Sequence, residues 1–258
     1  MLSIFKKKKQ EPRVPSTMME SEAPVMQEET IPVDMNEGDF PELFRLCRPF
    51  TMTSVERLYS LYRAMHYVIK NKIPGDFIEC GVWKGGSSLM MAKMLTMHGI
   101  TDRKVILYDT YEGMSEPTEN DKDYSGVDAE KLLEQSSIEV QDSVWCYSSF
   151  DEVKSNLTLS GLPEENIIMI KGKVEDTIPS QVPTEKIALL RLDTDWYEST
   201  KHELEHLYPM LVKDGLLIID DYGHWQGCRK AVDEYMSKND LPILLCRIDN
   251  TGRIAVKL

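Results

Sequence analysis

Ile187-Ala188-Leu189-Leu190-Arg191-Leu192 runs into Asp193-Thr194-Asp195, and Leu216-Leu217-Ile218-Ile219 runs into Asp220-Asp221. Each apolar run is short, and Arg191 is the single interruption, which is the pattern of strands covered on both faces of a parallel sheet. Between them Glu198 to Val212 places Leu204, Leu207, Tyr208 and Leu211 at helical spacing, and Lys213-Asp214-Gly215 reads as a glycine stop. The segment is therefore a strand-helix-strand unit. A right-handed crossover brings the carboxyl ends of both strands to one edge of the sheet, where open α/β folds bind ligands. Asp193, Asp195, Asp220 and Asp221 are expected to converge there. Carboxylates that close repel unless a cation or proton sits among them, and an all-oxygen set suits Mg²⁺ or a similar hard ion.

The totals fit this reading. A chain of 258 residues holds one large α/β domain, and its net charge of −13 argues against a nucleic-acid groove. The five cysteines, Cys47, Cys80, Cys146, Cys228 and Cys246, are odd in number and lack a Cys-x-x-Cys pair, as expected of reduced thiols in a cytoplasmic protein. No apolar run approaches the roughly 20 residues of a membrane span, and Met1 to Phe5 is too short for the core of a signal peptide.

Residues 1–38 are rich in Pro, Glu, Ser and Met without periodicity and read as a disordered tail. Residues 39–75 form a helical lid or cover. Within them Thr53-Ser54-Val55-Glu56 has the form of a capping box, and Val55, Leu58, Tyr59, Tyr62, Met65 and Ile69 share one helical face. Residues 76–258 form the main domain. Its first strand, Asp76 to Cys80, leads through Gly81, Gly85 and Gly86 to a helix from about Ser87, a turn that lets backbone approach a ligand closely. The second strand, Lys104 to Tyr108, ends at Asp109, where nucleoside-binding α/β folds hold a ribose diol. Tyr111 to Tyr147 is a long irregular stretch and a candidate substrate loop. Ser149 caps a helix that Gly161 ends, Ile167 to Ile170 is the third strand, and Gly227 to Met236 is helical. Pro242 to Arg247 and Arg253 to Val256, joined through Asp249-Asn250-Thr251-Gly252, make a closing hairpin.

Five parallel strands followed by an antiparallel hairpin resemble the class I S-adenosylmethionine-dependent methyltransferases: a Rossmann-like, seven-stranded, mostly parallel sheet with helices on both faces. Residues 76–86, Asp109 to Gly113, Asp176-Thr177-Ile178-Pro179, Leu192 to Thr200, and Asp220 to Gly223 are similar to motifs of the macrocin O-methyltransferase (TylF-like) family. The resemblance covers roughly Pro74 to Tyr235 and leaves the tail before Gly38 outside. It implies Mg²⁺-dependent methylation of a sugar hydroxyl, on a glycosylated natural product or a polysaccharide precursor, by S-adenosylmethionine. It also implies roles. Asp193, Asp220 and Asp221 hold the metal and Asp195 is the general base. Glu79, Gly81, Gly85, Gly86 and Ser87 surround the methionine part of the cofactor, Asp109 its ribose, and Glu175 with Asp176 its adenine. Trp196, Tyr197 and His224 are candidate acceptor contacts, and a homo-oligomer is compatible with the sequence. Two other readings stay open at this point: a glycosyltransferase that uses Asp193-Thr194-Asp195 to bind a nucleotide-sugar metal, and a catalytically inactive binding module on the same fold.

Overall fold

Alternating strand and helix patterns, each with one apolar face, force a layered arrangement in which helices cover a central sheet. In a computed structural model that describes residues 30–140 and 143–258, the elements are α1 (Phe40–Cys47), α2 (Val55–Lys70), β1 (Asp76–Cys80), α3 (Gly86–Met97), β2 (Val105–Asp109), α4 (Ala129–Glu134), α5 (Phe150–Leu157), β3 (Ile167–Lys171), α6 (Val174–Thr177), β4 (Ile187–Leu192), α7 (Tyr197–Leu207), β5 (Leu211–Ile219), α8 (Gln226–Lys238), β6 (Cys246–Arg247) and β7 (Arg253–Val256). The sheet order is β3-β2-β1-β4-β5-β7-β6. The first five strands are mutually parallel, and β7 and β6 are antiparallel. The strand order reverses between β1 and β4, which opens a crevice at their carboxyl ends.

Successive strand residues face opposite sides and build two cores. Phe77, Leu189 and Leu216 pack with Leu58, Leu61, Met65 and Leu89, whereas Ile78, Leu190 and Leu217 pack with Leu204, Leu207 and Val232. Each such buried side chain contributes about 1.5–3 kcal/mol. The first core packs α2 against the sheet. The tail expectation for residues 1–29 lies outside the described residues. Ile31 to Gly38, which the same expectation included, folds against the rest of the chain. Val33–Met35 forms a 3-10 turn, Ile31 and Met35 pack on the first core, and Glu37 accepts the Tyr59 hydroxyl at 2.7 Å.

Three local expectations are corrected. Ser54, not Thr53, caps α2 by accepting the Arg57 N–H at 3.2 Å, while Thr53 turns to Thr51, hydroxyl to hydroxyl at 3.0 Å. Either residue type can cap, and the local Thr51 contact takes Thr53 out of that role. The crossover helix ends at Leu207 in a 3-10 turn, Tyr208–Met210, where Pro209 interrupts the hydrogen-bond ladder. Lys213-Asp214-Gly215 instead forms a bulge inside β5. Asp214 has φ +64°, and the register on β4 jumps from Ile187 opposite Leu211 to Leu189 opposite Leu216. Of Pro242 to Arg247, only Cys246–Arg247 joins the sheet. Among the described residues no helix is long and apolar enough to cross a membrane, and all five cysteines are free.

Candidate active site

Backbone bonding continues past the strand ends and positions the acids. Asp193 N–H donates to Cys80 O at 2.8 Å, and Asp220 N–H to Leu192 O at 2.9 Å. Asp195 then takes a left-handed φ of +70°, and Trp196 N–H closes a tight turn on Thr194 O at 2.8 Å. The result brings carboxylate oxygens of Asp193, Asp195 and Asp221 within 4.8 Å of one another. Burial pushes Asp195 up to about 7 and holds Asp193 and Asp221 well above the usual carboxylate range.

Asp220 reaches the same place but bonds differently. Its Oδ1 accepts Arg191 Nη2 at 2.6 Å, and its Oδ2 accepts Arg57 Nη1. Arg191 is buried inside β4, where its Nη1 also meets Glu79 Oε1 and Asp193 Oδ2, each at 2.6 Å. One guanidinium thus holds three acids, which is what a charge in a covered strand requires. From the sequence Arg191 reads only as an interruption of its strand. The available signal is that a lone cation in a buried run must have acidic partners.

A cavity of about 450 Å³ opens beside these acids, with Glu79, Gly81, Gly86, Ser87, Asp109 and Glu175 on its wall. Gly81 has φ +78°, and a Cβ there would lie 2.0 Å from Asp193 O, so only glycine lets the β1 turn pass the acid loop. Gly86 serves a different contact, since its Cβ would meet Phe50 O at 2.7 Å; the N-terminal segment docks on this glycine. Gly85 is the left-handed cap of α3 and faces Val153. Glu79 Oε2 accepts the Ser88 hydroxyl, and burial raises the acid's pKa. Asp109 ends β2 on the cavity wall, with its oxygens accepting the N–H groups of Val82 (2.7 Å) and Tyr111 (2.6 Å), so it braces the glycine turn. Asp176 is exposed in α6.

The candidate acceptor residues divide. His224 and Trp225 stand on the cavity wall. Trp196 is buried, edge-on to Trp225 at 4.8 Å, and donates Nε1–H to Ser115 O at 3.0 Å. Tyr197 donates its hydroxyl to Glu234 at 2.6 Å. Trp196 thus packs the wall residue Trp225 from behind, whereas Tyr197 is turned toward α8. The long 111–147 stretch contributes Met114, Ser143 and Cys146 to the wall, and the N-terminal segment contributes Thr51, Thr53 and Arg57, which sequence reasoning missed.

The family model for macrocin-O-methyltransferase (TylF) matches residues 18–256, starting well before the Pro74 where the motif resemblance begins. The chain is 35% identical over 218 residues to demethyldecarbamoylnovobiocin O-methyltransferase of Streptomyces niveus, covering 84% of this chain and 78% of that protein. It is also 35% identical over 202 residues to 8-demethyl-8-(2,3-dimethoxy-alpha-L-rhamnosyl)-tetracenomycin-C 4'-O-methyltransferase of Streptomyces olivaceus, covering 78% and 73%. Among solved structures, the O-methyltransferase NovP superposes with a TM-score of 0.70 at 32% identity, covering 81% of this chain and 82% of that one. These matches set aside the glycosyltransferase reading of Asp193-Thr194-Asp195. The chain is an S-adenosylmethionine-dependent O-methyltransferase and belongs to the macrocin O-methyltransferase (TylF) family.

Proposed function

We propose that the protein methylates a hydroxyl of a sugar carried by a glycosylated natural product or a polysaccharide precursor, with a divalent cation such as Mg²⁺ at the acid cluster. The observation that carries this reading is the gathering of Asp193, Asp195 and Asp221 beside the glycine-turn cavity. Those oxygens fit a hard cation: the donor set is all oxygen and half-buried, and three carboxylates that close call for a counter-ion. Asp193 and Asp221 would hold the ion. Asp220, of the same proposed ligand set, is fixed alongside by its two arginines. A cation bound there would lower the pKa of a hydroxyl brought against it.

Asp195 is the general base. It projects from a left-handed turn that Trp196 closes, beside Asp193 and Asp221, where it would accept the proton of a hydroxyl brought against the cation. Gly81 and Ser87, with Gly86 behind them against Phe50, would receive the cofactor, whose sulfonium supplies the methyl group when bound. Holding the two reactants together can supply about 7 kcal/mol or more of barrier reduction. By its name the Streptomyces olivaceus relative methylates a rhamnosyl-bearing tetracenomycin at a 4' position, which supports a sugar acceptor here.

Calorimetric titration of S-adenosylhomocysteine and electron paramagnetic resonance titration of Mn²⁺ test the two halves. Micromolar nucleoside binding, and Mn²⁺ binding lost in both Asp193→Asn and Asp221→Asn, are expected. Mn²⁺ binding unchanged in both variants removes the metal half of the proposal.

A further inference from the structure

A second concavity of about 520 Å³ adjoins the acid cavity, shares His224 and Trp225 with it, and runs along the start of α8 between Tyr124, Tyr222 and Arg229. The segment carrying Tyr124 is held still. Asp123 Oδ1 accepts the N–H of Ser125 at 2.8 Å and of Val127 at 2.9 Å. Gln226 fastens the same segment to α8, donating its backbone N–H to Lys122 O and its side chain to Asp123 O, both at 2.8 Å. Tyr124 is nonetheless 74% exposed, with its ring edge-on to His224 at 5.6 Å. A large aromatic displayed on a pinned turn gives up little entropy when it takes a ligand. On the other wall the Tyr222 hydroxyl donates to Asp233 at 2.7 Å, and the Arg229 and Arg253 guanidiniums stand over its ring at 5.6 and 4.9 Å.

The charges say what kind of ligand fits. Arg229 and Lys230 are matched by Asp233 and Glu234 on the same groove. Arg229 pairs with Asp233 at 3.5 Å, and Lys230 donates to Asn120 Oδ1 at 2.8 Å while standing 4.9 Å from the Tyr197 ring. A diphosphate would have to displace these partners. A neutral ring with an apolar face would not.

We propose that this groove is an acceptor subsite for the ring next to the methylated sugar. The substrate is then a neutral glycoside of at least two rings. Its second ring lies across Tyr124 and Tyr222, and its first passes His224 to reach Asp195. This inference rests on the methyl-transfer reading and names the substrate class of that site. The ring can be a further sugar or an aryl aglycone, since both present an apolar face to an aromatic side chain.

The test uses full-length protein saturated with S-adenosylhomocysteine and Mg²⁺. Saturation-transfer NMR then compares, across rhamnose, fucose and glucose, the methyl glycosides, the p-nitrophenyl glycosides and the methyl glycosides of the disaccharides, together with dTDP-rhamnose. One aromatic contact is worth about 0.5–1.5 kcal/mol, so a two-ring probe should bind about five-fold tighter than its one-ring counterpart. Tyr124→Ala should erase that preference and leave S-adenosylhomocysteine affinity unchanged. Preference for the aryl or the disaccharide series identifies which ring the groove takes. Equal affinity of one-ring and two-ring probes, no binding by any two-ring probe, a preference untouched by Tyr124→Ala, or tighter binding of dTDP-rhamnose would each overturn the subsite. A protein that fails to bind S-adenosylhomocysteine at all would overturn the methyl-transfer reading instead.

Discussion

Arg57 on α2 and Asp220 at the end of β5 are 163 positions apart in the chain and form an ion pair on the floor of the site. Arg57 Nε also lies 3.1 Å from Asp249 Oδ2, which accepts the Ser54 hydroxyl at 2.7 Å. One guanidinium therefore joins the helical cover, the turn of the closing hairpin and the acid cluster. Its removal leaves Asp220 with Arg191 alone and makes the cluster more negative. Arg57→Ala should cost roughly 3 kcal/mol of stability, lower turnover and tighten Mn²⁺ binding, with Arg57→Lys intermediate. Urea unfolding and Mn²⁺ titration check this. Weaker Mn²⁺ binding in a folded Arg57→Ala protein would mean that Arg57 builds the site and does not balance its charge.

Arg191 makes a stronger demand. It is 3% exposed and compensates Glu79, Asp193 and Asp220 together. Arg191→Met keeps the volume and leaves three acids without their shared cation, at a cost of about 3–5 kcal/mol. Adding Glu79→Gln should recover part of that loss, because the two side chains are coupled. Additive losses in the double variant, measured by denaturant unfolding, would show that the pair is not coupled.

The convergence of Asp193, Asp195, Asp220 and Asp221 was legible because it follows from two local facts, an apolar run and its terminal acid, together with the handedness of a parallel crossover. The same reasoning placed β1, the glycine turn and Asp109. It did not reach how the acids divide their bonds. Arg57 carries no local signal: on the helical pattern of α2 it is an ordinary polar position, and only the docking of that helix over β5 turns it inward. The expectation of a helix stop at Lys213-Asp214-Gly215 fails for a related reason. A glycine after a left-handed residue ends a helix or bulges a strand equally well, and the pairing with β4 decides between them.

Gly81 gives a prediction in which backbone geometry alone decides. Its φ of +78° and the 2.0 Å separation that a Cβ at this position would have from Asp193 O leave no room for a methyl group. Gly81→Ala must push β1 and the acid loop apart, so both ligand sites should suffer together: about a ten-fold loss of S-adenosylhomocysteine affinity, corresponding to ~1.4 kcal/mol, alongside weaker Mn²⁺ binding. Calorimetry on the same preparation reads both. A variant that loses one affinity and keeps the other would show that the turn and the acid loop move independently.

Glu203 on α7 supplies the pH prediction. Its Oε1 accepts the Thr194 hydroxyl at 2.9 Å, which steadies the residue between Asp193 and Asp195, while Oε2 has no hydrogen-bond partner among the described residues. Burial, opposed only in part by the Thr194 bond, holds its pKa well above the usual carboxylate range. The folded chain thus keeps a proton that the unfolded chain releases near pH ~4.3. The stabilising effect is complete below that pH and is lost as the pH rises toward the folded-state pKa, by up to about 1.4 kcal/mol per pH unit. Glu203→Gln keeps the acceptor for Thr194 and cannot titrate. Urea unfolding at pH 5, 6, 7 and 8 should therefore show the variant gaining on the wild type at each step, whereas parallel stability profiles would place Glu203 in its ordinary ionised state.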